Sequence, residues 1–204
     1  MKAPASFQNP LPEMKIRIYD PLAEYLGGPS EVVRFDLSIL DAARLSGHLC
    51  PSVAGAFLVS KAAIKALYPD TDTCVRGQIE VDLPGVANEG ATGPISNVIG
   101  YLTGAWGEHG FAGINGKFSR RELMHFHSPR CVQGAYRFER TDTGEVVHVR
   151  YNPGAARGLH DAGTPTAFAD AWQARVHAIL TSPDVVEVVS ERTSRAKNER
   201  RFVT

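Results

Sequence analysis

Between Val53 and Leu67 the apolar positions Val53, Ala56, Phe57, Ile64 and Leu67 recur at helical spacing, with the small residues Ala54, Gly55, Ala62 and Ala63 among them. A helix of that composition is apolar over most of its surface and lets neighbours approach closely, so the run predicts a central buried helix. Pro51 interrupts whatever precedes it, and the helix starts at Ser52 or close to it. Tyr68-Pro69-Asp70 ends it, because a residue before proline avoids the α region.

Gly47-His48-Leu49-Cys50-Pro51-Ser52 lies at the mouth of this helix. An imidazole and a thiol two residues apart can reach one metal ion, and the amide donors and dipole of a helix start favour a thiolate placed there. The competing reading is a chance loop sequence with an inert, hydrophobe-like cysteine. A second chemical feature is Leu123-Met124-His125-Phe126-His127, which alternates as a strand and would project His125 and His127 on one face. Two imidazoles on a shared face can complete a metal set with His48 and Cys50; the alternative is a solvated strand face. His109, in a glycine-rich loop, and Cys131, just after His127 across Pro129, are further candidates, whereas Cys74 at a strand start reads as core.

The remaining chain divides as follows. Residues 1–15, with Pro4, Pro10 and Pro12, read as an extended arm; residues 16–190 as one domain; and residues 191–204 as a basic tail carrying Arg192, Arg195, Lys197, Arg200 and Arg201. Within the domain the patterns predict a strand at 16–19, a helical turn at 21–26, a helix over 38–45 capped by Ser38, and a strand over 74–83. A helix over 96–102 and a loop over 103–117, holding five glycines, come next. Strands at 122–127, 132–140 and 146–151, a loop over 152–165, a helix over 167–180 and a last strand at 185–189 follow. Helices first, then a meander, then helix and strand argue for an α+β fold with helices on one face of a mixed, largely antiparallel sheet.

Lysine plus arginine equals aspartate plus glutamate at 22 each, so no overall field draws the chain to nucleic acid. No apolar run reaches the ~20 residues that a membrane crossing needs. Three cysteines are too few and too scattered for a secreted disulfide framework, which makes a cytoplasmic location the expectation.

Gly47-His48-Leu49-Cys50-Pro51 followed by Ser52-Val53-Ala54-Gly55 resembles the His-Gly-His-x-Cys-Pro-Gly opening of the FmdE-like family, which is named for a component of formylmethanofuran dehydrogenase. Parallels continue in Val98 to Gly104, in the hairpin from Tyr136 to Glu145 and in Ser182 to Val188, in the family's order. The resemblance implies the same α+β class, a homodimer and assembly with a redox enzyme. Ser46 stands where the family motif has its first histidine, Ala105 where a cysteine usually follows Thr-Gly, and an earlier family cysteine falls near Pro94. No Cys-x-x-Cys pair occurs, so the zinc ribbon of some relatives is missing.

Three functions remain open on these residues. The first is a small metalloprotein binding a transition metal, zinc before others, through His48 and Cys50 with His125 and His127, and with an open position for substrate. The second places haem at the same His/Cys-Pro motif, with Phe57, Trp106, Phe111 and Phe126 as the apolar lining. The third is a non-catalytic accessory component of a redox enzyme complex.

Overall fold

The computed structural model describes the backbone of residues 10–156 and 165–193. Its first half runs β1 (Lys15–Tyr19), α1 (Pro21–Tyr25), α2 (Ser30–Val33), β2 (Arg34–Ser38), α3 (Ile39–Ser46), α4 (Pro51–Leu67), β3 (Thr73–Val75) and β4 (Ile79–Asp82). The second half runs α5 (Thr92–Thr103), β5 (Met124–His125), β6 (Tyr136–Arg140), β7 (Val146–Tyr151), α6 (Pro165–Thr181) and β8 (Val186–Thr193). Most of the N-terminal arm and of the basic tail, and the loop 157–164, lie outside the described residues. Leu11 and Met14, in the described end of the arm, pack against the core.

The fold is α+β, and α4 is its axis. Pro51 occupies the first helical position, where a missing N–H costs nothing. Val53, Ala54, Gly55, Ala56, Phe57, Val59, Ser60, Ala63, Ile64 and Leu67 are all buried, so the helix is enclosed on most sides, and burial of a side chain such as Phe57 contributes about 1.5–3 kcal/mol. Gly55 is required by a close approach: a Cβ there would sit 2.4 Å from the Tyr151 ring. The helix stops at Tyr68, which lies outside the α region ahead of Pro69.

Two mixed sheets flank this helix. The smaller has the order β2-β1-β3, with β1 antiparallel to β2 and parallel to β3. The larger has the order β5-β4-β6-β7-β8, antiparallel except for the β4–β5 pair. Ile79, Val81, Phe138, Val147 and Val149 point from the larger sheet into the core, and α4 packs on that face. Alternation then sends Glu80, Asp82, Arg137, Glu139 and His148 to the other face.

The structure corrects four expectations. The run 74–83 is not one strand: Gly77, at φ +82°, turns the chain and delivers β3 and β4 to different sheets. The helix expected at 96–102 starts earlier, at Thr92, because Pro94 falls within its first turn, where no intrahelical N–H bond is lost. The strand expected at 122–127 shrinks to Met124–His125, since Glu122 (φ +60°) and His127 (φ +48°) adopt left-handed backbone on either side. The strand expected at 132–140 begins at Tyr136, after a turn with positive φ at Gln133 and Gly134. The segment 30–37, where the sequence patterns predict no element, supplies α2 and all of β2 but its last residue.

Candidate functional site

The helix-mouth loop is built from both ends. Helix α3 is closed at its start by a Ser38–Asp41 capping box and at its end by Gly47 in the left-handed region at φ +73°. The chain then crosses His48-Leu49 and re-enters a helix at Cys50, the N-cap of α4, whose Sγ accepts the Val53 N–H at 3.4 Å. Two aromatic side chains pin the backbone between them. Tyr151 Oη donates to the Pro51 carbonyl at 2.7 Å, and Trp172 Nε1 donates to the Leu49 carbonyl at 3.3 Å. Burial pushes the Tyr151 phenol well above its ordinary range, which keeps it a donor.

His48 is exposed and Cys50 is buried. His48 Nδ1 lies 2.9 Å from the Ser46 carbonyl oxygen, which can only accept, so Nδ1 carries the hydrogen and, in the neutral ring, the lone pair lies on Nε2. That is the arrangement in which an outer hydrogen bond fixes the tautomer of a ligating imidazole. The donor chemistry at the loop therefore suits a soft or borderline metal, with at most these two side chains contributed from the motif itself.

His125 does not join them within the chain. Its Nε2 is 3.2 Å from Glu80 Oε1, on the face of the larger sheet turned away from α4. Cys50 lies on the opposite face, against α4 and the end of β7; three strand spacings, about 14 Å, separate β5 from β7. His127 is exposed beyond the strand end, its left-handed backbone breaking the alternation that would have paired it with His125. Among the described residues, no three of His, Cys, Asp and Glu gather closely enough to hold a metal ion.

His109 is exposed, its ring edge-on to Trp106 at 5.8 Å. Cys131 packs near Asp82 and Tyr136, and burial pushes its thiol up to about 11. Cys74 is fully buried in β3, its thiol pushed up to about 12 by burial, as suits an inert core residue.

Two polar clusters carry no motif in the sequence. On the outer sheet face the fully buried Asp82 accepts Arg130 Nε at 3.0 Å and Arg137 Nη1 at 2.8 Å. Arg130 also pairs with Glu80 at 2.5 Å, and Arg137 with Glu139. Beside α1, Asp20 caps the helix through Leu22 and Ala23 N–H and pairs with Arg120 at 2.6 Å and Arg76 at 3.5 Å. The alternation of acidic residues at 80 and 82 with arginine at 137 was the available signal for the first cluster. The second joins residues 20, 76 and 120 across the chain and left no local signal.

Among the described residues no helix is long and apolar enough to cross a membrane. No family model matches this chain, and no curated protein matches it.

Proposed function

We propose that this is a small metal-binding protein in which His48 Nε2 and Cys50 Sγ hold a transition-metal ion, zinc before others, at the mouth of α4. The observation that carries the reading is the His48 Nδ1 contact with the Ser46 carbonyl, which leaves Nε2 free to ligate two residues from a thiol at a helix start. The resemblance of residues 47–52 to the FmdE-like family adds support, and with it come a homodimer and a redox-enzyme partner; a cytoplasmic location, from the cysteine usage, is a further part of the proposal.

Each residue has a distinct task. Ser46 orients the imidazole, and Tyr151 and Trp172 hold the loop so that residues 48 and 50 keep their spacing. The Val53 N–H on Cys50 Sγ and the dipole of α4 favour negative charge on sulfur or on an anionic substrate beside it. A bound zinc ion with two protein ligands supplies Lewis acidity to whatever fills its open positions. His125 and His127 are left out of this set because Glu80 and the sheet hold His125 on the far side.

The test is zinc loading of the full chain followed by gel filtration and elemental analysis. Wild type retains stoichiometric zinc. Cys50→Ser keeps a capping atom for the Val53 N–H but removes the soft donor, and His48→Gln removes the imidazole; both lose zinc with little change in unfolding midpoint. Stoichiometric zinc in both variants refutes the reading.

Haem is the second reading, favoured by one observation. Phe168 and Trp172 stack at 5.4 Å, both are exposed, and Trp172 bonds the motif backbone, so an aromatic platform adjoins His48. A Soret band on haemin titration, lost in His48→Gln, would select it over zinc.

A further inference from the structure

A cleft of about 400 Å³ opens beside α1, with Arg76, Lys117 and Arg120 among its lining residues and Leu22 and Phe118 as apolar walls. It is remote in sequence from the helix-mouth motif and owes nothing to it. Its charge is unbalanced. Arg76 and Arg120 share a single carboxylate, Asp20, whose two oxygens are already engaged by both guanidiniums and by two N–H groups of α1. Lys117 adds a third positive charge at the exposed rim, and among the described residues no acidic side chain pairs with it.

The two arginines are held in place rather than waving in solvent. Their side chains are only 15% and 13% exposed. Arg76 donates from Nη2 to the Tyr101 carbonyl at 3.0 Å, while its Nε is buried with no hydrogen-bond partner among the described residues. Burial, and then the nearby Arg120, make the charge on Arg76 harder to hold and lower its pKa. Two largely buried guanidiniums against one carboxylate is a costly arrangement, and an entering anion relieves it. The N–H of Gly77 is bonded to the Thr103 carbonyl and is not offered to a ligand. Phe118 packs against Tyr25 at 5.0 Å between ring centroids, which gives the cleft a fixed aromatic wall.

We infer that this cleft binds a phosphate monoester with a small apolar or aromatic organic part. The surplus of two positive charges matches a phosphate group, which carries about −1.5 to −2 at neutral pH, better than a carboxylate. Guanidinium pairs are suited to phosphate oxygens through parallel hydrogen bonds, and Phe118 and Leu22 offer contact to the organic part.

Calorimetric titration of the full chain at constant ionic strength tests this, with phenyl phosphate, inorganic phosphate and benzoate as probes. Phenyl phosphate is expected to saturate with the highest affinity, inorganic phosphate to bind more weakly, and benzoate to bind least. Arg120→Gln and Lys117→Ala should each weaken phenyl phosphate on the order of tenfold, the loss of one charged contact. Circular dichroism checks the fold of Arg120→Gln; Lys117 is exposed, so its variant keeps the fold in any case. Cys50→Ser, which empties the proposed metal site, should leave phenyl phosphate binding unchanged. No saturable binding to wild type, equal affinity for benzoate, or undiminished binding in both charge variants overturns the inference.

Discussion

Two aspartates, Asp82 and Asp20, are each buried between two arginines, and the two clusters nevertheless differ in kind. Around Asp82 the guanidiniums of Arg130 and Arg137 also meet Glu80 and Glu139, so carboxylates outnumber arginines, and His125 Nε2 lies 3.2 Å from Glu80. Around Asp20 the same two-arginine frame has no further acid paired to it among the described residues, and Lys117 tips it more positive. One cluster is closed by its own pairs and fastens β4, β5 and β6 to the segment carrying Arg130. The other is left open at a cleft. An aspartate between arginines is therefore not one device: the sign of what surrounds the trio decides whether it serves as a fastening or as a receptor.

The contrast can be broken at its strongest point by Asp82→Ala. Removing the carboxylate takes one buried acceptor from each guanidinium while Glu80 and Glu139 keep both paired, so unfolding by urea should show a loss of about 1–3 kcal/mol. Phosphate should not restore it. A loss small enough to vanish in the extrapolation, or recovery in phosphate buffer, would erase the distinction from the Asp20 cluster.

Acid provides a finer probe. His148 sits opposite Arg137 on the closed face, and burial, followed by the charge of Arg137, lowers its pKa below the ordinary histidine value of 6.5, against a smaller raising effect from Asp82. The native state thus binds this proton less readily than the unfolded chain, so the stability it allows is present above pH 6.5 and is lost as pH falls through the folded pKa. Urea midpoints measured across that range should decline less in His148→Gln than in wild type. Identical slopes would show that His148 is not part of the closed cluster's balance.

The smallest effect belongs to the open cluster. Lys117→Ala should change unfolding free energy by no more than about 0.5 kcal/mol, because its side chain is exposed and no ion pair with a described residue is lost. A large destabilisation would mean that Lys117 serves the fold, and the cleft would lose its claim to a spare charge.

Parts of this molecule could be read directly from residue order. The apolar run from Val53 to Leu67 becomes α4 with its start and stop set by Pro51 and Pro69, and Ser38 caps α3 as its chemistry suggests. The hairpin of β6 and β7 follows from two alternating runs around Thr141 to Gly144. Signals of this sort are local, and nothing distant contradicts them. The strand of residues 122–127 was legible only in part, because left-handed backbone at Glu122 and His127 is imposed by the surrounding loop and not advertised by glycine. With that strand cut to two residues, the expected shared face of His125 and His127 has no basis.

At the helix mouth, sequence by itself determined the spacing of His48 and Cys50, the position of Cys50 at the start of a buried helix, and the α+β class. Tertiary structure alone decided which groups share a side of the larger sheet, and so parted His125 from Cys50 and brought Asp20, Arg76 and Arg120 together. Spacing along a chain governs what neighbours within a turn or strand can reach. Which distant charges meet depends on strand order and pairing, and those are settled by how whole faces pack.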